Sequence, residues 1–190
     1  MTNSESKEYI LAAARELYGR AVFSHKVHEK DRELWNKKTC RMNYGNIALV
    51  SVTTVFAIVA AALPATIVLI LTAISAAATT GFVLWQANFD PVGRENLHRM
   101  AARELLWVRE QLLLLIVRCH SAAENVADLN RSLQNLTQQL TTVYKFAPDT
   151  SPEAYALAHV ALKENEEFTF SDEEIDLFLP VALRKNKPAT

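Results

Sequence analysis

One long stretch of the chain carries no charged side chain. From Met42 to Phe89, 48 consecutive residues include no Asp, Glu, Lys or Arg. A single helix of that length would be about 72 Å long, whereas the hydrocarbon core of a bilayer is about 30 Å thick. The segment must therefore fold back, and Pro64 marks the tip because proline removes a backbone donor and clashes with the preceding turn. The pattern predicts two membrane spans, at about 44–63 and 66–85.

The residues that flank the two spans predict how the hairpin sits in a membrane. Tyr44 and Trp85 lie at the ends opposite the tip, and such aromatic residues favour the headgroup level. Basic residues gather beside the same two ends and are absent from the tip, so the positive-inside rule predicts that both termini lie in the cytoplasm. The alternative is a helical hairpin buried inside a soluble protein. The flanking basic residues are Lys26, Lys30, Arg32, Lys37, Lys38 and Arg41 before the spans, and Arg94, Arg99, Arg103 and Arg109 after them.

The second span carries two sets of residues that suggest contacts. Ala77 and Gly81 lie four positions apart, and small residues at this spacing let membrane helices pack closely. A weakly polar stripe follows the same helix, and it has two interpretations: a water-facing lining of an oligomeric pore, or packing contacts whose hydroxyls bond to their own backbone. The stripe consists of Thr72, Ser75, Thr79 and Gln86.

The regions outside the spans also predict helices, and the whole is an all-α fold. Residues 1–42 form an N-terminal cytoplasmic helix, 43–89 the transmembrane hairpin, 90–147 one long coiled-coil-like helix, and 148–190 a helical tail. The long helix carries an apolar seam with alternating steps of three and four, which is typical of a coiled coil and fits pairing within the chain or between subunits. The seam includes Leu105, Val108, Leu112, Leu115, Cys119, Ala122, Val126, Leu129, Leu133, Leu136, Leu140 and Val143.

The tail carries two sequence signals for the start of a helix. Ser151 and Pro152 suit the start of a helix that runs to about Asn165, and Ser171 to Glu174 form a capping box. Seven acidic residues and no basic ones lie between Glu164 and Asp176. They suit either an acidic docking surface for a partner or ordinary capping and solubility.

The composition of the chain disfavours several classes of binding and catalytic site. Lys and Arg number 20 against 21 Asp and Glu, so no global field favours direct nucleic-acid binding. The chain has 4 Gly and none of the glycine-rich phosphate-binding patterns. Cys40 and Cys119 fit two free thiols. His25 and His28 lie one turn apart and suit either a metal or a solvated helix face. We expect a non-enzymatic protein, and the sequence assigns it no catalytic, cofactor-binding or metal-binding residue.

Three short pieces in this architecture carry a resemblance to a known family. They are Trp35 in the basic helix, Asn88-Phe89-Asp90 after the hairpin, and His98-Arg99-Met100-Ala101-Ala102 at the start of the long helix. With the two-span hairpin, the chain resembles the SLATT family, the SMODS- and SLOG-associating two-transmembrane effectors of bacteria. The resemblance covers the chain through Tyr144, and the tail is expected to be a subfamily-specific addition.

The resemblance implies a function that composition does not. SLATT proteins are associated with bacterial conflict systems and occur beside nucleotide-second-messenger synthases, nucleotide sensors and reverse transcriptases. The implied activity is perforation or disruption of the inner membrane by a homo-oligomer once a cytoplasmic partner detects phage infection. A non-enzymatic anchor or scaffold that recruits a partner through its long helix is the alternative.

Overall fold

The computed structural model describes residues 3–63 and 65–178, and within them the chain is helical and has no strand. This confirms the all-α fold with an apolar two-helix hairpin between long helices. The predicted tip at Pro64 lies outside the described residues, and so do residues 179–190 of the predicted helical tail. The helices are α1 (Asn3–Ala62), α2 (Thr66–Phe89), α3 (Pro91–Cys119), α4 (Val126–Phe146), α5 (Pro152–Lys163) and α6 (Asp172–Phe178).

Helix α1 joins the N-terminal region and the first span without a break. Its 60 residues contain no proline, and its only glycines are Gly19 and Gly45. At 1.5 Å per residue the helix is about 90 Å long. The boundary predicted at residues 42 and 43 is therefore not a structural junction, because the same helix runs through it.

Asp90 alone separates the second span, α2, from helix α3. Its backbone lies in the left-handed region with φ 42°, and its carboxylate accepts a hydrogen bond of 2.9 Å from the Gly93 amide. Pro91 occupies the first position of α3, where its missing N–H is not needed. A Cβ on Gly93 would collide with the Asp90 carboxylate, so a larger residue there would displace this carboxylate from its position at the cap.

Helices α1, α3 and α4 form a bundle around one apolar core. Helix α1 runs antiparallel to α3, since Lys7 donates to the Ser121 carbonyl at 2.9 Å while His25 bonds the Ala102 carbonyl at 2.8 Å. Most of the predicted seam lies in this core. Leu105, Val108, Leu112, Leu115, Cys119, Leu129, Leu136 and Leu140 are buried with Ile10, Ala14 and Ala21 of α1, and Val126, Leu133 and Val143 pack against them.

The prediction of one continuous helix over 90–147 is wrong. The chain leaves α3 after Cys119 and starts α4 at Val126, and the seam residue Ala122 is exposed in the connecting turn. The Asn125 side chain caps α4 by accepting the Ala127 amide at 3.0 Å. Short polar side chains offer the backbone an alternative to helical bonds, and here that preference outweighs the apolar spacing.

The tail folds back onto α1. Ala154 and Ala158 of α5 are fully buried against Val27, and the Phe23 and Tyr155 rings meet edge to face at 4.9 Å. Helix α5 ends at Lys163, two residues before the expected end. The predicted capping box forms: Ser171 Oγ accepts the Glu174 amide at 3.3 Å, and a Glu174 carboxylate oxygen accepts the Ser171 amide at 2.8 Å.

Candidate functional site

The predicted polar stripe lies at the contact between the two spans. The Thr53 and Thr79 hydroxyls are 3.1 Å apart, and the Gln86 side-chain amide donates to the Asn43 carbonyl oxygen at 2.9 Å. All three hydroxyls of the stripe also donate to carbonyls about one turn back, at 2.8 Å from Thr72 and Thr79 and 2.9 Å from Ser75. In this conformation Thr79 and Gln86 contact the first span, Thr72 and Ser75 bond their own helix, and a role in lining a pore stays a prediction.

The predicted small-residue face points away from the partner span. Ala77 and Gly81 are exposed, and a Cβ added to Gly81 would meet open space. The close approach within the hairpin occurs at Gly45, where an added Cβ would lie 3.6 Å from the Phe82 ring. Packing through Ala77 and Gly81 stays a prediction about contacts with another chain.

The apolar windows of both candidate spans are almost unburied within the chain, at 6% for the window in Ser4–Ala62 and 0% for the window in Thr66–Cys119. Side chains such as Ile67 and Ile74 are 70% and 61% exposed. The core of a soluble protein would bury these residues, so the soluble alternative is not supported. Lipid is the solvent that such an outer face matches.

Aromatic and basic side chains gather where the spans meet the bundle. The Trp85 and Phe89 rings are stacked at 5.6 Å, and Phe89 lies 5.6 Å from Trp35. Lys38 and Arg94 lie over the Trp35 ring, at 4.2 and 5.3 Å from its centroid. The rings of Tyr44 and Trp85 are exposed at this end, and their anchoring role at the headgroup level stays a prediction. We call Trp35, Lys38, Phe89 and Arg94 the base cluster.

A layer of buried polar side chains lies in the bundle next to the base cluster. We call it the polar layer; its members are His25, Lys26, His28, Asp31, Glu95 and His98. His28 and His98 join α1 to α3 through their Nδ1 atoms, which are 3.1 Å apart. Because one Nδ1–H must donate to the other nitrogen, the pair requires at least one neutral ring. The expected solvated face at His25 and His28 is therefore wrong, since both rings are buried.

Burial and neighbouring charge disfavour protonation of the three histidines in this layer. Desolvation, helped by the charge on neighbouring His98, lowers the pKa of His28 to about 4, although Asp31 acts in the opposite direction. Desolvation also lowers the pKa of His25 and of His98. The layer is thus neutral at its histidines near pH 7, and acid would charge buried rings.

Asp31 fastens the tail to α1. Its carboxylate accepts 2.9 and 2.6 Å hydrogen bonds from the Ser151 amide and hydroxyl. Ser151 in turn caps α5 by accepting the Ala154 amide at 3.1 Å. One buried carboxylate therefore sets the position of α5 against α1.

A second contact fastens the connector between α5 and α6. Glu167 lies 2.5 Å from Lys26 Nζ and 4.0 Å from Lys30 Nζ. Phe168 places its ring centroid 4.7 Å from the same Lys26 ammonium and 4.9 Å from the Arg109 guanidinium. Desolvation opposes the charge of Lys26, but its hydrogen bonds to Glu167 and Glu29 raise its pKa overall. At least part of the acidic tail therefore binds the chain's own basic helix.

The metal-ligating and thiol side chains of the described residues form no metal-binding cluster. Among residues 3–63 and 65–178, no cluster of three or more His, Cys, Asp or Glu side chains could hold a metal ion. Cys40 and Cys119 are both free thiols, one exposed and one buried. What the geometry offers is a pair of unburied spans joined without a flexible linker to a latched bundle.

A comparison with known protein families identifies the family of this chain. The model of SLATT family 4, described as the SMODS and SLOG-associating 2TM effector domain family 4, matches residues 10–174. The chain belongs to this family. SLATT domains are effector domains with two transmembrane helices, so the unburied hairpin is a membrane hairpin and the protein is a membrane effector of a conflict system. The description names no enzyme activity.

The SLATT match extends past Tyr144 and includes α5 and its contacts with α1. The tail through Glu174 is thus part of the family-4 domain, whereas the sequence resemblance ended at Tyr144. No curated protein matches the chain. No solved structure matches it either.

Two features of this SLATT domain were not predicted from its sequence. The pairing of His28 with His98 joins residues 70 positions apart, and helical spacing alone does not indicate which faces meet. The Asp31–Ser151 contact spans 120 positions. The only available sequence signal was the capping preference of Ser151, which identifies a helix start but not its partner.

Proposed function

We propose that this protein is the membrane-perforating effector of a bacterial antiphage system. In this proposal, several copies assemble through their hairpins in the inner membrane and open or disrupt it when a cytoplasmic partner signals infection. The observation that carries the proposal is the pair of apolar spans, 6% and 0% buried, in a two-transmembrane effector domain. Spans exposed to this extent are free to contact lipid or other copies.

The route of the signal is supported by the absence of a flexible joint between bundle and membrane. Helix α1 runs from the bundle into the first span, and Asp90 alone separates α2 from α3. Rotation or tilting of the bundle helices would therefore move the spans directly. In the open state, the stripe at Thr72, Ser75, Thr79 and Gln86 would leave its contact with α1 and face water between hairpins.

The partner must bind the open form more tightly than the closed form. Conversion from about 1% open to about 99% open requires about 5.5 kcal/mol of preferential binding to the open form. A nearby sensor, nucleotide-second-messenger synthase or reverse transcriptase that binds the bundle would supply it. The basic residues at the base of the hairpin favour a cytoplasmic bundle, with the hairpin tip on the other side.

The test is induced expression in cells that carry a potential-sensitive dye and the triggering partner. We expect depolarisation with the unaltered chain and a weaker response with Thr72→Val plus Thr79→Val. Thr80→Val is the matched control, because Thr80 is exposed next to Thr79. An unchanged membrane potential under triggered conditions contradicts perforation, and equal loss with the control contradicts the role of the stripe.

A membrane anchor that recruits a partner is the second candidate. The outer face of α3 favours it, because Leu97, Trp107 and Leu114 are 51%, 47% and 55% exposed. An anchor needs only insertion, so replacement of the hairpin with an unrelated two-span anchor would preserve its activity. Loss of activity after that exchange favours perforation.

A further inference from the structure

The base cluster has the chemistry of an anion site. Lys38 comes from α1 and Arg94 from α3, and both lie over the one ring of Trp35. Within the described part of the chain, neither cation has a carboxylate at ion-pair distance. Two cations beside one aromatic ring, without an acidic partner, provide a point charge and a planar fork of donors, the groups that bind phosphate.

The depth of the cluster indicates the source of that phosphate. Phe89 follows Trp85 by one helical turn, about 6 Å along the axis. The headgroup layer is about 5–7 Å thick on each side of the hydrocarbon core. With Trp85 at the edge of the hydrocarbon, Phe89 and the two cations beside Trp35 lie at the level of lipid phosphates.

The surface beside the cluster has room for a headgroup. An open cleft of about 570 Å³ is lined by Asn88, Phe89, Asp90, Gly93, Arg94 and Leu97. The one carboxylate in this cleft, that of Asp90, already accepts the Gly93 amide at the start of α3. The helix dipole at that end favours an anion as well.

We propose that Trp35, Lys38, Phe89 and Arg94 bind the headgroup of an anionic phospholipid in the leaflet at the bundle side. The lipid phosphate contacts Lys38 and Arg94, and the aromatic rings hold the glycerol region. This contact ties α1 to α3 at the junction of bundle and membrane. The site requires membrane insertion but not perforation, so it can fail or hold independently of the proposed function.

The test uses the full-length protein in nanodiscs of phosphatidylcholine and phosphatidylglycerol, followed by detergent extraction and mass spectrometry of the retained lipid. We expect preferential retention of phosphatidylglycerol and its loss by about tenfold or more in Lys38→Gln plus Arg94→Gln, because this variant removes the direct contacts with the lipid phosphate as well as the general attraction of two surface cations. The matched control is Lys37→Gln plus Arg41→Gln, which removes two exposed cations that do not lie over Trp35. The control removes only the general attraction, so it should lose several-fold less than the Lys38 and Arg94 variant.

Three outcomes overturn the proposal: equal loss in the two double variants, no preference for phosphatidylglycerol, or full displacement of the lipid by inorganic phosphate at matched ionic strength. Equal loss would indicate nonspecific attraction to the membrane surface. Displacement by inorganic phosphate would indicate a site for a soluble anion. Lys38→Gln alone, at an exposed position, repeats the test if the double variant is poorly folded.

Discussion

The hairpin turns large apolar side chains outward, whereas the bundle buries such side chains in a leucine-rich core. Between the spans, Thr53 bonds Thr79, while isoleucines such as Ile67 face outward. In the bundle, Leu105 and Leu112 are fully buried, whereas ion pairs such as Arg118 with Glu124 lie on the outside. The outer face of the hairpin matches lipid, whereas the bundle encloses an apolar core and also leaves Leu97, Trp107 and Leu114 of α3 exposed. The same chain therefore combines two packing rules along continuous helices.

The polar layer differs from the rest of the bundle core because its buried side chains are polar. His28 and His98 are buried although neither forms an ion pair, and Asp31 is buried to hold Ser151. Buried polar groups require specific partners, so they fix the register between α1, α3 and α5 more tightly than apolar contacts alone. The bundle is thus specified by polar contacts near the membrane and by apolar contacts far from it.

The largest expected effect is in the apolar core. Leu112→Ala should reduce the free energy of unfolding of the bundle by about 3 kcal/mol, because Leu112 is fully buried and a cavity would remain. Near-UV circular dichroism during thermal unfolding in detergent measures it. Leu113→Ala is the control, since Leu113 is 41% exposed, and equal losses in the two variants would contradict the assigned core.

The next effect concerns the attachment of the tail. Asp31→Asn should cost about 2 kcal/mol, because it weakens two charge-assisted hydrogen bonds to Ser151. Hydrogen exchange should accelerate in α5 before it accelerates in α3. Asp149→Asn, at an exposed position, should leave both unchanged. Uniform acceleration across the bundle would argue against a local latch.

Low pH should reduce the stability of the bundle through the histidines of the polar layer. Because burial lowers the folded-state pKa of His28 to about 4, stability is complete above the unfolded pKa of about 6.5. It should fall by about 2 kcal/mol as the pH decreases from 6.5 to 4, since the unfolded chain binds the proton more readily. Urea titration across this range measures the slope. His28→Gln should flatten it and His159→Gln, on the surface, should not; an unchanged slope in His28→Gln contradicts the account.

The smallest effect is expected between the spans. Thr79→Val removes the 3.1 Å contact with Thr53, and such hydrogen bonds in membrane proteins contribute about 0.6 kcal/mol on average. Titration of lipid–detergent micelles with dodecyl sulfate measures that difference. Thr80→Val should have no effect. A loss at Thr79 as large as that at Leu112 would mean that the spans are packed as tightly as the bundle.

Much of the fold follows from the sequence because its strongest signals are local. The charge-free stretch identifies the hairpin, and Ser171 with Glu174 identifies a capped helix. The 3–4 spacing of the seam correctly marks core residues such as Leu105 and Leu129. The spacing wrongly marks Ala122 as a core residue. Ala122 keeps the 3–4 interval but lies in a turn that Ser121 and Asn125 stabilise.

The candidate sites are less accessible from sequence because they join distant segments. Trp35 meets Phe89 and Arg94 only because α1 is antiparallel to α3. The direction in which Gly81 faces likewise depends on which side of α2 meets α1. Periodicity defines the faces of each helix, and only the three-dimensional pairing identifies which face is left for lipid or a partner.

The central claim is that the hairpin crosses the membrane twice, and cysteine labelling in intact spheroplasts tests it most directly. The chain offers an exposed native thiol at Cys40, on the bundle side of the first span, and Ala65→Cys adds one at the tip. With Cys119→Ser, a membrane-impermeant maleimide should label the tip position and leave Cys40 unlabelled until the cells are lysed. Labelling of both positions in intact cells that carry separate single-cysteine variants, or of neither until lysis, would place them on one side of the membrane and contradict the two-span arrangement. Labelling of Cys40 with a protected tip would contradict only the cytoplasmic position of the bundle.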